Sequence, residues 1–377
     1  MKTKKIASLL LAGLLALSVA ACGQQPVTNN DQGSSSEVST SESQSSTSSD
    51  AEAGQTGEKP TEPTGQLVIG SVTQVINEFY DTGFSTSETN YNMYDLIHGT
   101  MDSVVYTKEG EFQYNDTVVA SHEETENEDG TKTYTVTIND GLVWSDGTPL
   151  TAKDYVFAVL LENSDEMAGV DGYPCNGGYS YVGYDEWLAG TADTFAGVHL
   201  VDDMTYSLTV KAEELPYHYD ITYALVRPRP LHVIAPECDV EDTENGATIT
   251  GEFTTELLQE TINNPETGYR YNPKVTCGPY LFESFDEASQ QATLKVNPEF
   301  AGDYRGVKPM IETLIIKTVV SDTMMNELES GSVDLLYSCS GGETINAGLD
   351  LVEEGTAADS TYMRNGYGQL QFDCGVF

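Results

Sequence analysis

The sequence predicts a mixed α/β fold, and three observations carry that reading. From Leu67 onward, short strand-like runs alternate with stretches of helical periodicity, the pattern of strands and helices packed in layers. A half-buried strand at 134–138 gives way, after a turn, to a capped helix at Thr151. Near 314–336 a strand, a short helix and a second strand follow in the order of a βαβ crossover.

The first strand falls at Leu67-Val68-Ile69-Gly70, short and apolar enough to be buried. Tyr134-Thr135-Val136-Thr137-Ile138 alternates with period two, and Asn139-Asp140-Gly141 ends it with turn chemistry. Trp144-Ser145-Asp146-Gly147-Thr148-Pro149-Leu150 reads as a tight loop. Thr151-Ala152-Lys153-Asp154 has the spacing of a capping box, with the acid at the positive helix end. Tyr155, Val156, Val159 and Leu160 follow at helical spacing. Further on, Leu294-Lys295-Val296 and Leu314–Val319 read as strands. Ser321 is positioned to cap a helix containing Met324, Met325 and Leu328, Ser330-Gly331 stops it, and Val333–Leu336 returns as a strand. No internal repeat is apparent.

The chain opens differently. Met1-Lys2-Thr3-Lys4-Lys5 precedes an apolar run from Ile6 to Ala21, about 15 residues where a spanning helix needs about 20. That is the shape of a secretory signal over residues 1–22. Val19-Ala20-Ala21-Cys22 resembles the lipobox of bacterial lipoproteins, which implies a diacylated Cys22 and a membrane anchor there. From Gly23 to about Gln66 the residues are Ser, Thr, Glu, Gln, Gly and Pro, too polar to offset ordering entropy. The expectation is a disordered tether (23–66) spanning roughly 35 Å.

Charge and cysteines narrow the function classes. The formal net charge is −43, with only 17 Lys and Arg. Such a balance argues against nucleic acid and against electrostatic binding to anionic lipid. Cys22, Cys175, Cys238, Cys277, Cys339 and Cys374 contain no Cys-x-x-Cys, so neither zinc nor thioredoxin-like chemistry is suggested. Disulfides are permitted outside the cytoplasm, but spacing leaves their connectivity open. The histidines (His98, His122, His199, His218, His232) form no His-Glu-x-x-His, and neither a Walker loop nor Gly-x-Ser-x-Gly occurs. The reading is a non-enzyme with no cofactor and no metal.

One stretch is more specific. Gly141-Leu142-Val143-Trp144-Ser145-Asp146-Gly147-Thr148-Pro149-Leu150-Thr151-Ala152-Lys153-Asp154-Tyr155 resembles the signature of the family 5 extracellular solute-binding proteins, the peptide receptors of ABC importers. Four more stretches match in the same order: Pro228-Arg229-Pro230-Leu231-His232-Val233-Ile234, Val275-Thr276-Cys277-Gly278-Pro279-Tyr280, Asn297-Pro298-Glu299-Phe300, and Glu329-Ser330-Gly331-Ser332-Val333-Asp334. Their residue types are those of scaffold, with Trp144 as a buried anchor and Asp146-Gly147 and Gly278-Pro279 as backbone-setting pairs. Tyr173, Tyr179, Tyr181 and Tyr184 suit packing or an adaptable binding surface, with packing favoured.

The resemblance implies a periplasmic-binding-protein-like class II lobe with an inserted subdomain over 67–364, and peptide backbone held by strand-like pairing. It places the ligand-contacting segment near Ser85, Thr86 and Ser87, before a helix at Tyr94-Asp95-Leu96-Ile97-His98-Gly99. It implies an oligopeptide ligand, permease and ATPase partners, and a location on the outer face of the cell membrane. Members of that family are longer. Tyr367–Asp373 resembles their crossing strand, so 365–377 is expected to be a hinge and the start of a second lobe that is largely missing. Rival readings are a surface adhesion or signalling lipoprotein on the same fold, and a receptor for a nickel chelate, haem or sugar.

Overall fold

In the computed structural model, residues 61–107, 109–363 and 370–375 are described. The signal segment, Cys22 and nearly all of the expected tether lie outside them. The first strand, β1 (Thr64–Ser71), begins three residues before Leu67, so ordered structure starts inside the expected tether. Next come α1 (Glu88–Ile97), the short pair β2 (Val104–Tyr106) and β3 (Phe112–Tyr114), then β4 (Val119–Glu126) and β5 (Lys132–Ile138). Helix α2 (Ala152–Glu162) starts where the capping box places it; the Asp154 carboxylate accepts the Thr151 N–H at 2.9 Å. Short helices α3 (Asp165–Ala168) and α4 (Tyr184–Leu188) precede β6 (Val198–Asp202) and β7 (Thr205–Val210). After α5 (Leu231–Ile234), β8 (Asp239–Thr243), β9 (Gly246–Thr250) and α6 (Thr255–Thr261), the chain forms β10 (Tyr280–Asp286), β11 (Gln291–Val296) and β12 (Ile311–Thr318). It continues through α7 (Met324–Glu329), β13 (Leu335–Cys339), α8 (Gly342–Glu353), β14 (Ala358–Met363) and β15 (Leu370–Gly375).

Two sheets organise these elements. The larger has seven strands in the order β10-β11-β12-β1-β13-β15-β14, and the second four, β4-β5-β7-β6. Strand β1 pairs in parallel with both β12 and β13. The expected crossover through α7 therefore exists, but it steps over β1, because a parallel connection has room for a strand between its ends. Its N-cap is Thr323 rather than Ser321. The segment expected to lead out of the lobe is seen, over β15, as a strand of the same sheet between β13 and β14.

The chain leaves the large sheet after β1 and returns at β10. In between it builds the four-stranded sheet, whose inward alternation (Tyr134, Val136, Ile138) meets Tyr206, Leu208 and Val210 of β7 and the buried face of α2. The motifs of the sequence converge as scaffold. Trp144 is 1% exposed, its ring near His232, whose Nε2 lies 3.0 Å from Asp146 Oδ2. Ser145 N–H donates to Thr276 O at 2.9 Å, and Asn297 Nδ2 donates to Gly278 O at 2.9 Å. At Gly278 a Cβ would sit 2.5 Å from the Ile97 carbonyl, so glycine permits the close approach. Cys175, Cys238 and Cys277 are free thiols. No helix among the described residues is long and apolar enough to cross a membrane.

Candidate functional site

Five segments meet at one cleft of about 370 Å³: Asp81–Gly83 after β1, α1 through Tyr91, Tyr94 and Asp95, the last residue of α2, the loop 173–177, and Arg227 with Arg229. Helical periodicity explains why α1 and α2 contribute as they do. Met93 and Ile97 face the core, which turns Tyr91 and Asp95 along the cleft side. Helix α2 buries eight consecutive residues, Asp154 to Leu161, and releases Glu162 only at its end.

Arg229 is the centre of the wall. Its side chain is 3% exposed and lies over the Tyr80 ring, 4.3 Å from the centroid. Nη2 donates to Asp81 Oδ2 at 2.8 Å and Nε to Glu162 Oε1 at 2.6 Å. Nη1 is buried with no hydrogen-bond partner among the described residues. Asp81 also accepts the Tyr173 hydroxyl at 2.8 Å and the Gly83 N–H at 2.7 Å, which fixes the turn after β1. Beside it, Arg227 forks onto Asp102, with Nε to Oδ1 and Nη2 to Oδ2 each at 2.9 Å, and its Nη2 also reaches Asp95 Oδ1 at 2.9 Å.

Desolvation sets the proton affinities here. Burial raises the Glu162 carboxyl above its usual range, with Arg229 opposing the rise and Asp81 adding to it. Burial alone would lower Arg229, but Glu162, Tyr80 and Asp81 more than reverse it, so the guanidinium stays charged. His98, behind the wall, is held neutral by burial and by the Arg229 charge; its ring Nε2 lies 2.6 Å from Phe79 O.

A second arginine braces the same loop from the other side. Arg270 pairs with Glu78 and Asp171 and covers the Phe84 ring at 4.2 Å. Residues 78–84 are therefore held at both ends by Arg270 and in the middle, at Tyr80 and Asp81, by Arg229.

Ser85, Thr86 and Ser87 lie just beyond this loop, adjoining the cleft without lining it. Ser85 is buried, and its carbonyl accepts the Tyr91 hydroxyl at 2.8 Å. Burial raises the Tyr94 phenol, and the Ser85 side chain works against that rise. Ser87 is the N-cap of α1 and its hydroxyl donates to Gln74 O at 2.6 Å, while Thr86 is exposed. Of the four tyrosines in the glycine-rich stretch, Tyr181 and Tyr184 pack into the core, Tyr179 is exposed, and Tyr173 lines the cleft.

The sequence reading missed Asp81, Glu162, Arg227 and Arg229 as a group. Arg229 was inside a quoted motif, and an arginine between two prolines in a chain so poor in basic residues was the available signal. Among the described residues no cluster of His, Cys, Asp and Glu could hold a metal ion.

The model of the bacterial extracellular solute-binding proteins, family 5, matches residues 117–371. The chain belongs to this family. It is a family of binding proteins, in agreement with the non-enzymatic reading of the scattered histidines. The periplasmic oligopeptide-binding protein OppA of Salmonella typhimurium is 27% identical over 209 residues, covering 55% of this chain and 33% of that protein. A probable deoxycholate-binding periplasmic protein of Escherichia coli, YgiS, is 31% identical over 151 residues, 39% of this chain and 27% of that one. Among solved structures, the oligopeptide-binding protein AppA of Bacillus subtilis in complex with a nonapeptide superposes with a TM-score of 0.56 at 16% identity. That match covers 80% of this chain and 48% of AppA, which establishes the mixed α/β binding-protein fold. The chain spans about a third of the length of the curated relatives it matches.

Proposed function

We propose that this chain is the solute-capturing component of an ABC importer, that its ligands are extracellular peptides, and that it delivers them to a membrane permease with its ATPase. The single observation that carries the reading is the cleft beside the loop 81–87: a wall of fixed charges and hydroxyls, supplied by five segments, in a family of solute receptors. A charged wall suits a polar, hydrogen-bonding ligand such as a peptide better than a steroid such as the deoxycholate in the name of one relative. The exposed Thr86, between Ser85 and Ser87, contacts the peptide backbone in this reading.

Lipidation at Cys22 would hold the receptor on the outer face of the membrane, near the permease. Calorimetric titration of the full chain with peptide pools tests the ligand class; no heat with any di- to pentapeptide would sink it. The anchor has its own test. Labelled palmitate should enter the wild-type chain and not Cys22→Ser, and equal labelling would remove the anchor from the proposal.

A further inference from the structure

Two loops far apart in sequence supply much of the cleft lining: Asp81–Gly83, and the loop that carries Tyr173, Pro174, Asn176 and Gly177. They are packed into each other. The Tyr173 hydroxyl donates to Asp81 Oδ2 at 2.8 Å, and its ring lies 5.0 Å from that of Phe84. A Cβ at position 83 would stand 2.2 Å from the Tyr173 ring, so only glycine permits this approach.

The second loop follows a backbone path that its residues resist. Asp171 and Cys175 hold φ of 52° and 43°, left-handed values that a Cβ makes unfavourable, and Gly172 has 71°. Such a path persists only where the surroundings fix it. At one end the Cys175 carbonyl accepts the Tyr184 hydroxyl at 2.6 Å. At the other the Asp171 carboxylate accepts Arg270 Nη1 at 2.8 Å.

Arg270 does not line the cleft, yet it touches both loops. Its side chain is 7% exposed. Nη2 donates to Glu78, the guanidinium covers the Phe84 ring, and the Arg270 carbonyl accepts the Phe79 N–H at 2.6 Å. Nη1, shared between Asp171 and Asn263, holds the other loop. The planar fork sets how far Glu78 stands from Asp171, which a flexible ammonium would not do.

We infer that Arg270 is a positioning residue for the ligand site: it joins the loops 78–84 and 171–177 into one unit, so that their part of the cleft wall is shaped before a ligand arrives. Glu78 and Asp171 are its two anchors. The inference rests on the solute-binding reading and names what preorganises that site.

Hydrogen exchange and calorimetry on the full chain test it. Arg270→Ala would leave Glu78 without its cation and threaten folding, so the variants are made at Asp171, whose side chain is 60% exposed. Asp171→Gly removes the tie and suits the left-handed backbone. Its melting temperature should hold, while amide exchange rises at least about threefold in 171–177 and also in 78–84, where no residue is altered. Affinity for peptide pools should fall by about the same factor. Asp171→Asn keeps an acceptor oxygen and tolerates the same φ, so it should restore most of both. Faster exchange confined to 171–177, or none, overturns the inference and leaves peptide binding to its own titration. Coupled exchange with unchanged peptide affinity overturns the positioning role. Coupled exchange with no heat from any pool in the wild-type chain sinks the peptide reading and keeps the joint between the loops.

Discussion

Helix α2 connects two regions that are unlike in composition. From Tyr155 to Leu161 it is packed into an apolar core against β5 and β7, where Tyr155 stacks on Tyr206 with centroids 5.5 Å apart. One residue later, Glu162 enters the cleft wall, where Arg229 and Asp81 are as deeply placed as many core residues. Orphaned polar atoms occur in both regions. In the core they belong to neutral groups, among them the Tyr134 and Tyr206 phenols and the Trp144 indole, each costing about 1–3 kcal/mol at most. Among the described residues of the cleft lining the orphans are a guanidinium nitrogen of Arg229 and the Tyr94 hydroxyl. Burial by itself therefore does not mark the site, and neither does an unpartnered buried charge, since Arg270 Nε and Glu78 Oε2, outside the cleft lining, lack partners among the described residues.

The largest test of that contrast is Arg229→Ala. Removing the cation leaves Asp81 and Glu162 facing each other without compensation, and about 3–5 kcal/mol of stability should be lost in a urea titration. A loss under about 1 kcal/mol would mean the acids are better solvated than the geometry implies. Leu160→Ala probes the other region. Its side chain is fully buried, so about 2–5 kcal/mol should go as transfer and cavity cost. Ligand affinity should stay unchanged, and a change there would show that core and cleft are coupled through α2.

The smallest test uses protons, and the two regions answer with opposite signs. The buried His98 has a folded pKa well below 6.5, so its contribution to stability is intact above pH 6.5 and is lost as pH falls below that value. Asp154, at the start of α2, is raised by burial to about 6. Its contribution is present at low pH and fades as pH rises through about 6. Just below pH 6.5, His98 should set the slope, about 1.4 kcal/mol per pH unit at its steepest. His98→Gln should abolish that acid loss in pH-dependent melting curves; an unchanged slope would assign it to another group.

Much of the fold was legible in the residues. Alternation at 134–138, the turn at Asn139–Gly141 and the cap at Thr151 each depend on a few neighbours, and each stands where local rules put it. The strand order was not legible, because β1 is separated from β13 by most of the chain and nothing local records that it fits between β12 and β13. The cap at Ser321 was misplaced by two residues, since more than one hydroxyl precedes α7 and only the backbone path selects Thr323. The site was read one step too far along the loop. Ser85–Ser87 adjoin the cleft, while the charged wall comes from residues that sequence proximity does not group.

The sequence by itself determined the periodic elements, the turns that need glycine, and the family. Those properties follow from side-chain alternation, backbone angles and motif order, all written along the chain. Tertiary structure alone decided the cleft. Arg229 meets Asp81 across 148 positions and Glu162 across 67, and the field those charges create exists only once folding has removed water from between them.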